Sequence, residues 1–231
     1  MGGFRHKLEG LQVTITKEKE GALREDILTG LLSSNKRPLG DPETWPGPYS
    51  HETLAKTLFT PEECSKIIRI GLDLSLVRAG VVIDGVSKTR LRARNSRISR
   101  IVHDDGTHWI FQTIATAIAE ANSARWHYEL KRIDRLQFTE YGLGAHYDWH
   151  VDVGPGKNIT RKLSFSVQLS ARATYFGGQL QFRRGRFRRT ASYELGSITI
   201  FPSFMSHRVS PLLFGKRYSL VGWVHGAEPL R

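Results

Sequence analysis

Cysteine is almost absent from this 231-residue chain: Cys64 stands alone, which excludes an intramolecular disulfide and suits a reducing, cytoplasmic compartment. Long apolar runs are missing too, and no stretch approaches the roughly 20 residues that a membrane-spanning helix needs. The opening MGGFRHKLEG lacks the apolar segment of a secretory signal and has His6 where a myristoylation motif requires Ser or Thr. Acidic residues are in deficit, 22 against 34 Lys and Arg, for a formal net charge of +12. Such a surplus attracts acidic or polyanionic partners at long range and says nothing about fold. The expectation is a soluble cytoplasmic protein without a membrane partner, long enough to bury one sizeable core.

What is present divides the chain in two. Residues 1–50 form an N-terminal arm: a short amphipathic pattern with Leu23, Ile27 and Leu31 four apart, then a strap with four prolines between positions 38 and 48. Trp45 and Tyr49 give the strap something to dock with. From residue 51 to 231 the pattern is that of a single domain. ETLAKTLF reads as a strand, and TPEECSKIIRIGLDL as a helix with Thr60 as N-cap, Pro61 in its first turn and Glu63 closing a capping box. SLVRAGVVIDG reads as a further strand. A second helix is written in THWIFQTIATAIAEANSAR, with Ile110, Ile114 and Ile118 spaced four apart. Short strands then follow: WHYEL, RLQFTEY, RKLSFSVQLS, GQLQFRR, SITIFPS and KRYSLVGWV. RKLSFSVQLS alternates cleanly between Leu163, Phe165, Val167, Leu169 and Ser164, Ser166, Gln168, Ser170. Helices first and many short strands afterwards predict an α+β, mainly β protein, an antiparallel double sheet backed by N-terminal helices.

The chemistry concentrates in YGLGAHYDWHVD, residues 141–152, and in SFMSHRVSPLLFGKRYSL. His150 and Asp152 lie two apart, His207 lies far downstream, and Arg217 follows it by ten residues. Two imidazoles and one carboxylate on one face of an octahedral metal are the ligand set of non-haem Fe(II) oxygenases, with the other face open to substrate and oxygen. Arg217 offers two parallel donors to a carboxylate, a geometry lysine cannot copy. On a strand Ser219 and Trp223 share its face.

Several ordered motifs together resemble the prolyl 4-hydroxylase-like branch of the 2-oxoglutarate and Fe(II)-dependent dioxygenases. They are Tyr-Gly-x-Gly-x-x-Tyr-x-x-His-x-Asp, GGQLQF, FPS-x-x-x-His and Gly-x-Arg, between residues 141 and 217. LFTPEEC and the Ala-Asn pair at 121 and 122 are similar to bacterial hydroxylases of that branch, so the resemblance covers roughly residues 55–226. It implies a double-stranded β-helix (jelly roll, cupin-like) and oxidative decarboxylation of 2-oxoglutarate coupled to hydroxylation, with Fe(II), O2 and ascorbate as an accessory reductant. The metal ligands would be His150, Asp152 and His207. Arg217, Tyr141, Ser219 and Trp223 would hold the cosubstrate. His146-Tyr147-Asp148 repeats the His-x-Asp spacing, but the motif register favours His150 and Asp152. A carboxylate at 152 argues against halogenation, since related halogenases have a small residue there.

The expected substrate is an amino-acid side chain in a peptide or protein, acidic in character. A free amino acid or natural product is the alternative. A nucleic-acid demethylase would carry a second arginine six residues after Arg217, where this chain has Trp223. A non-catalytic cupin-like binding module would need a broken ligand set, and none of the residues is missing. Two basic stretches stand apart: QFRRGRFRR, a hairpin with five arginines from Arg183 to Arg189, and KTRLRARNSRISR, where Arg90, Arg92 and Arg94 would line one face of a strand. Only Phe182 and Phe187 interleave with the first, which gives base stacking little support.

Overall fold

In the computed structural model of the protein the described residues are 54–83, 86–88 and 92–229. The arm and strap of residues 1–50 lie outside them, as does Arg90. β1 (Leu54–Thr57) leads into α1 (Pro61–Asp73), whose capping box forms as expected: Glu63 N–H donates to Thr60 Oγ1 at 3.2 Å, and Thr60 N–H to Glu63 Oε2 at 2.8 Å. The segment expected as one strand from 75 to 85 is broken into β2 (Val77–Arg78) and β3 (Val81–Ile83), which pairs with β4 (Val86–Lys88). Arg92 lies in a turn and Arg94 in an isolated bridge to Tyr147, so the alternating arginines do not line a strand.

After β5 (Arg97–Ile101) comes α2 (His108–Arg125), which carries the 110/114/118 stripe into the core. WHYEL is mostly not a strand. Trp126 caps α2, His127 adopts φ +55°, and Asn122 brackets the turn, its Nδ2 donating to Tyr128 O and its Oδ1 accepting from Tyr128 N–H, both at 2.9 Å. These local bonds stop the helix and delay the next strand to β6 (Leu130–Ile133).

The remaining strands are β7 (Leu136–Tyr141), β8 (Tyr147–His150), β9 (Arg161–Gln168), β10 (Tyr175–Gly177), β11 (Leu180–Arg184), β12 (Phe187–Thr190), β13 (Ser197–Pro202), β14 (His207–Val209), β15 (Leu212–Gly215) and β16 (Arg217–Gly226). The major sheet runs β1-β13-β9-β16-β7-β5-β2 with β6 also on β16. The minor sheet runs β12-β11-β14-β8, and all pairings are antiparallel. This is the expected double-stranded β-helix.

Two apolar clusters hold it together. One joins α1 and α2 to the outer face of the major sheet through Ile67, Ile110, Ile114, Ile118, Phe138, Leu163, Phe165 and Val167, and the other lies between the sheets around Tyr175, Phe182, Phe201 and Leu212. Burying one such side chain is worth about 1.5–3 kcal/mol. α1 approaches the sheet so closely that Gly71 has the ring of Phe138 where a Cβ would stand, and Ser99 Oγ donates to Gly71 O at 2.7 Å. The alternation of β9 has a different meaning from a solvated sheet. Ser164, Ser166 and Gln168 are buried as well as the apolar set, because the polar face turns toward the space between the sheets. Among the described residues no helix is long and apolar enough to cross a membrane.

Candidate active site

Between the sheets opens a cleft of about 690 Å³ whose walls include His150, Asp152, His207, Tyr141, Arg217, Ser219 and Trp223. The fold therefore brings all seven expected residues to one place. His150 ends β8 and His207 begins β14, and the two face each other as register partners with ring centres 4.1 Å apart. Asp152 follows β8 by two residues, its N–H donating to Ser203 O at 2.8 Å.

The side chains are preset for a cation. Nδ1 of His150 is 2.7 Å from Asp148 O and Nδ1 of His207 is 2.9 Å from Met205 O. A carbonyl can only accept, so each Nδ1 carries a proton and each Nε2 is the nitrogen turned toward Asp152. Those Nε2 atoms lie 3.6 Å and 3.4 Å from the two oxygens of Asp152. Ser164 Oγ donates to Asp152 Oδ2 at 2.7 Å and is 2.9 Å from Ser203 Oγ. The ligand atoms of the three residues all fall within 4.8 Å of one another, and they could hold one metal ion. Burial, with His207 alongside, lowers the His150 imidazole to about 3. Burial also pushes the Asp152 carboxyl up, but His207, His150, the Ser164 hydroxyl and Arg161 outweigh it and leave Asp152 ionised below the usual range. Two imidazole Nε2 atoms beside a carboxylate are the donor set that a divalent iron requires. His146 is differently placed: its Nδ1 is 3.1 Å from Gly144 O and its Nε2 3.0 Å from Arg92 O, so both ring nitrogens are engaged by backbone.

Across the cleft Arg217 is 4% exposed, its Nε donating to Gln168 Oε1 at 3.0 Å while Nη1 is buried without a hydrogen-bond partner. An unsatisfied buried guanidinium nitrogen costs free energy unless an acceptor arrives. The donor set thus fits an anionic ligand such as the distal carboxylate of 2-oxoglutarate. Tyr141, opposite Arg217 in the β7–β16 ladder, is kept a neutral phenol by burial. Ser219 and Trp223 share Arg217's face, as strand periodicity required.

Arg161 and its partners escaped the sequence reading, whereas Arg94 and Tyr147 belong to the basic stretch and the motif named there. Arg161 Cζ sits 4.1 Å from the Trp223 ring centre, and its Nη1 donates to Asp152 O at 3.2 Å. It is anchored by Asp134, whose Oδ2 is 3.4 Å from Arg161 Nη2 and 3.0 Å from His225 Nε2. Arg94 stacks over Tyr147 at 4.5 Å, and Tyr147 stacks on His150 with ring centres 3.5 Å apart. Alternation along β9 and β16 flags residues 161 and 225 only as strand positions. Their partners come from other strands, so no local signal announced them.

Residues 136–225 match the family model described as the 2OG-Fe(II) oxygenase superfamily. A PKHD-type hydroxylase of Synechococcus sp. (strain CC9605) is 32% identical over 117 residues, covering 50% of this chain and 52% of that protein. One of Gloeothece citriformis (strain PCC 7424) is 32% identical over 115 residues, 49% of this chain and 52% of that protein. The chain thus spans about half the length of these curated relatives. Among solved structures, a Pseudomonas putida prolyl-4-hydroxylase superposes with TM-score 0.57 at 20% identity over 77% of this chain and 94% of that one. A Trichoplax adhaerens prolyl hydroxylase in complex with a hypoxia inducible factor peptide fragment superposes with TM-score 0.59 at 15% identity, covering 90% and 91%. These likenesses establish the fold. The residues matched by the family model, 136–225, include strands of both sheets and all seven residues gathered at the cleft, so the likeness to the 2OG-Fe(II) oxygenase superfamily falls on the site itself.

Proposed function

We propose that the protein is an Fe(II)- and 2-oxoglutarate-dependent dioxygenase that hydroxylates an unactivated C–H bond on an amino-acid side chain within a peptide or protein. The observation that carries this reading is the pairing, in one cleft, of a preset His150–Asp152–His207 cluster with the unsatisfied Nη1 of Arg217. His150 Nε2, His207 Nε2 and one oxygen of Asp152 would hold Fe(II). Arg217 would fix the distal carboxylate of 2-oxoglutarate, with Tyr141 and Ser219 completing its polar end and Trp223 walling it. When bound, Fe(II) with O2 and 2-oxoglutarate supplies the oxidising power: C–H becomes C–OH as 2-oxoglutarate becomes succinate and carbon dioxide. The chain's own part is positional. Ser164 restrains one Asp152 oxygen, the two Nδ1–H···O=C bonds lock ring orientation, and the Tyr147–Arg94 stack shields His150 from water.

A peptide rather than a free amino acid is supported by the relatives named as hydroxylases and by the peptide-bound Trichoplax adhaerens prolyl hydroxylase, whose fold this chain shares. An acidic substrate suits the net charge of +12, and a lone, free and buried Cys64 suits the cytoplasm. Incubating iron-loaded protein with O2, 2-oxoglutarate, ascorbate and panels of peptides and amino acids tests the reading. Succinate release together with a gain of one oxygen atom on a peptide is expected. Oxygen gain on free amino acids alone, or on none of the panel, would overturn it.

A further inference from the structure

Trp149 precedes His150 and turns to the opposite face of β8, the outer face of the minor sheet. There the fold gathers guanidinium groups from the three other strands of that sheet. Arg183 Cζ of β11 lies 4.7 Å from the indole centre, Arg208 Cζ of β14 4.8 Å, and Arg188 Cζ of β12 5.9 Å. Arg208 is oriented further by Nε donating to Gln181 Oε1 at 2.8 Å. Arg183 and Arg188 are direct cross-strand partners in the β11–β12 ladder, an arrangement in which like charges destabilise a hairpin.

Some described cations elsewhere find acids: Lys56 pairs with Glu120, Arg97 with Glu140, and Arg132 and Arg161 with Asp134. None of the three arginines around Trp149 has an ion-pair partner among the described residues. Two of their guanidinium carbons stand under 5 Å from one ring centre, hence closer to each other than the Debye length of about 10 Å at 0.1 M salt. A merely solubilising face would let these long side chains splay apart into water. Here the indole collects them by cation–π attraction, and Arg208 Nε to Gln181 is the one guanidinium hydrogen bond they make among the described residues, which leaves Nη groups to receive a carboxylate.

We infer that Trp149, Arg183, Arg188 and Arg208 form an anchoring surface for carboxylates of an acidic peptide, set beside the mouth of the catalytic cleft. Trp149 turns its indole to the outer face, while residue 149 also counts in the wall of that cleft, so the surface adjoins the cleft. The surface rests on the peptide-hydroxylase reading for its purpose but not for its existence. A peptide fits better than single-stranded nucleic acid, because the guanidinium groups already cover the indole that a base would need as its stacking platform.

The test is fluorescence anisotropy on the full chain without iron or 2-oxoglutarate, so that binding is read apart from turnover. The probe is a fluorescein-labelled peptide with Asp and Glu flanking a central proline, against a lysine-flanked peptide and a single-stranded RNA of equal charge to the acidic one. Arg183→Gln/Arg208→Gln should weaken acidic-peptide binding roughly tenfold. Arg184→Gln/Arg189→Gln removes two charges from the opposite face of the β11–β12 hairpin and should change it less than about twofold, within what surface charge pairs contribute. Thermal melts confirm that each variant is folded. Equal losses in the two double variants, tighter binding of the RNA with the same sensitivity, or no preference for the acidic peptide would each overturn the inference. Peptide binding without any peptide oxidation would leave this surface standing and remove the hydroxylase reading instead.

Discussion

Arg217 and Tyr141 face each other across the β16–β7 ladder, the guanidinium carbon 5.4 Å from the phenol ring centre. The pair closes the inner end of the cleft: one buried cation with a free nitrogen, one buried neutral phenol. A ligand carboxylate would satisfy that free nitrogen. Arg217→Ala should therefore raise the KM for 2-oxoglutarate far more than that for the peptide. Loss of a buried charge-assisted pair costs on the order of 2–5 kcal/mol, roughly 30-fold or more. Arg217→Lys should rescue only part of it, because a point charge does not reproduce the fork. Steady-state kinetics with 2-oxoglutarate varied would show this, and an unchanged KM in Arg217→Ala would place the cosubstrate elsewhere.

Metal retention is expected to follow the motif register. Alanine at His150, Asp152 or His207 should abolish both iron retention and succinate formation while far-ultraviolet circular dichroism stays close to wild type. Because the His146 ring lies between two backbone carbonyls and is absent from the His150–Asp152–His207 cluster, His146→Ala should keep its iron. Metal analysis after desalting decides the matter, and iron lost from the His146 variant but kept by the His150 variant would contradict the assignment. Adding Fe(II) or Co(II) at about 100 times its Kd should stabilise the wild type by about 2.7 kcal/mol, and removing it with a chelator should reverse the shift.

Gly71 sets two effects against each other. Alanine there would gain about 1 kcal/mol of helix propensity. Its Cβ would, however, meet the Phe138 ring at 2.3–2.5 Å, and Phe138 is fully buried and stacked on Tyr218. Overpacking costs about 1–3 kcal/mol, so packing should win and Gly71→Ala should melt several degrees lower. Adding Phe138→Leu should recover part of the loss, a coupling that a thermal double-mutant cycle reads directly. Strict additivity would mean that the ring is not what excludes the methyl group.

Acid stability should depend on Asp134. Burial pushes its carboxyl up, but the hydrogen bond and charge of His225, with Arg132 and Arg161, outweigh this and hold it well below the ordinary range. A carboxylate depressed on folding contributes stability that is present above its unfolded value, about 3.9, and is lost as pH falls toward the folded value. Wild-type stability should thus decline on acidification below about pH 4. Asp134→Asn should be less stable at neutral pH and show a shallower acid limb. Urea midpoints across pH compare the two, and parallel limbs would show that Asp134 is not the titrating group.

The linear motifs made much of the site readable in advance. His150, His207 and Arg217 sit at the ends or starts of strands and Asp152 two residues past one, so their spacing along the chain carries the geometry, and the capping box of Thr60 and Glu63 is purely local. Side-chain periodicity likewise decided that Ser219 and Trp223 accompany Arg217. Tertiary structure decided what periodicity cannot encode. Alternation in β9 separates two faces, yet only closure of the second sheet over the first turns Ser164 and Gln168 into buried partners of Asp152 and Arg217. Trp149 meets Arg183, Arg188 and Arg208 because strands distant in sequence are neighbours in the minor sheet. Arg161, Asp134 and His225 converge for the same reason. Local sequence determines backbone conformation and the alternation of faces, whereas long-range strand pairing determines which faces meet.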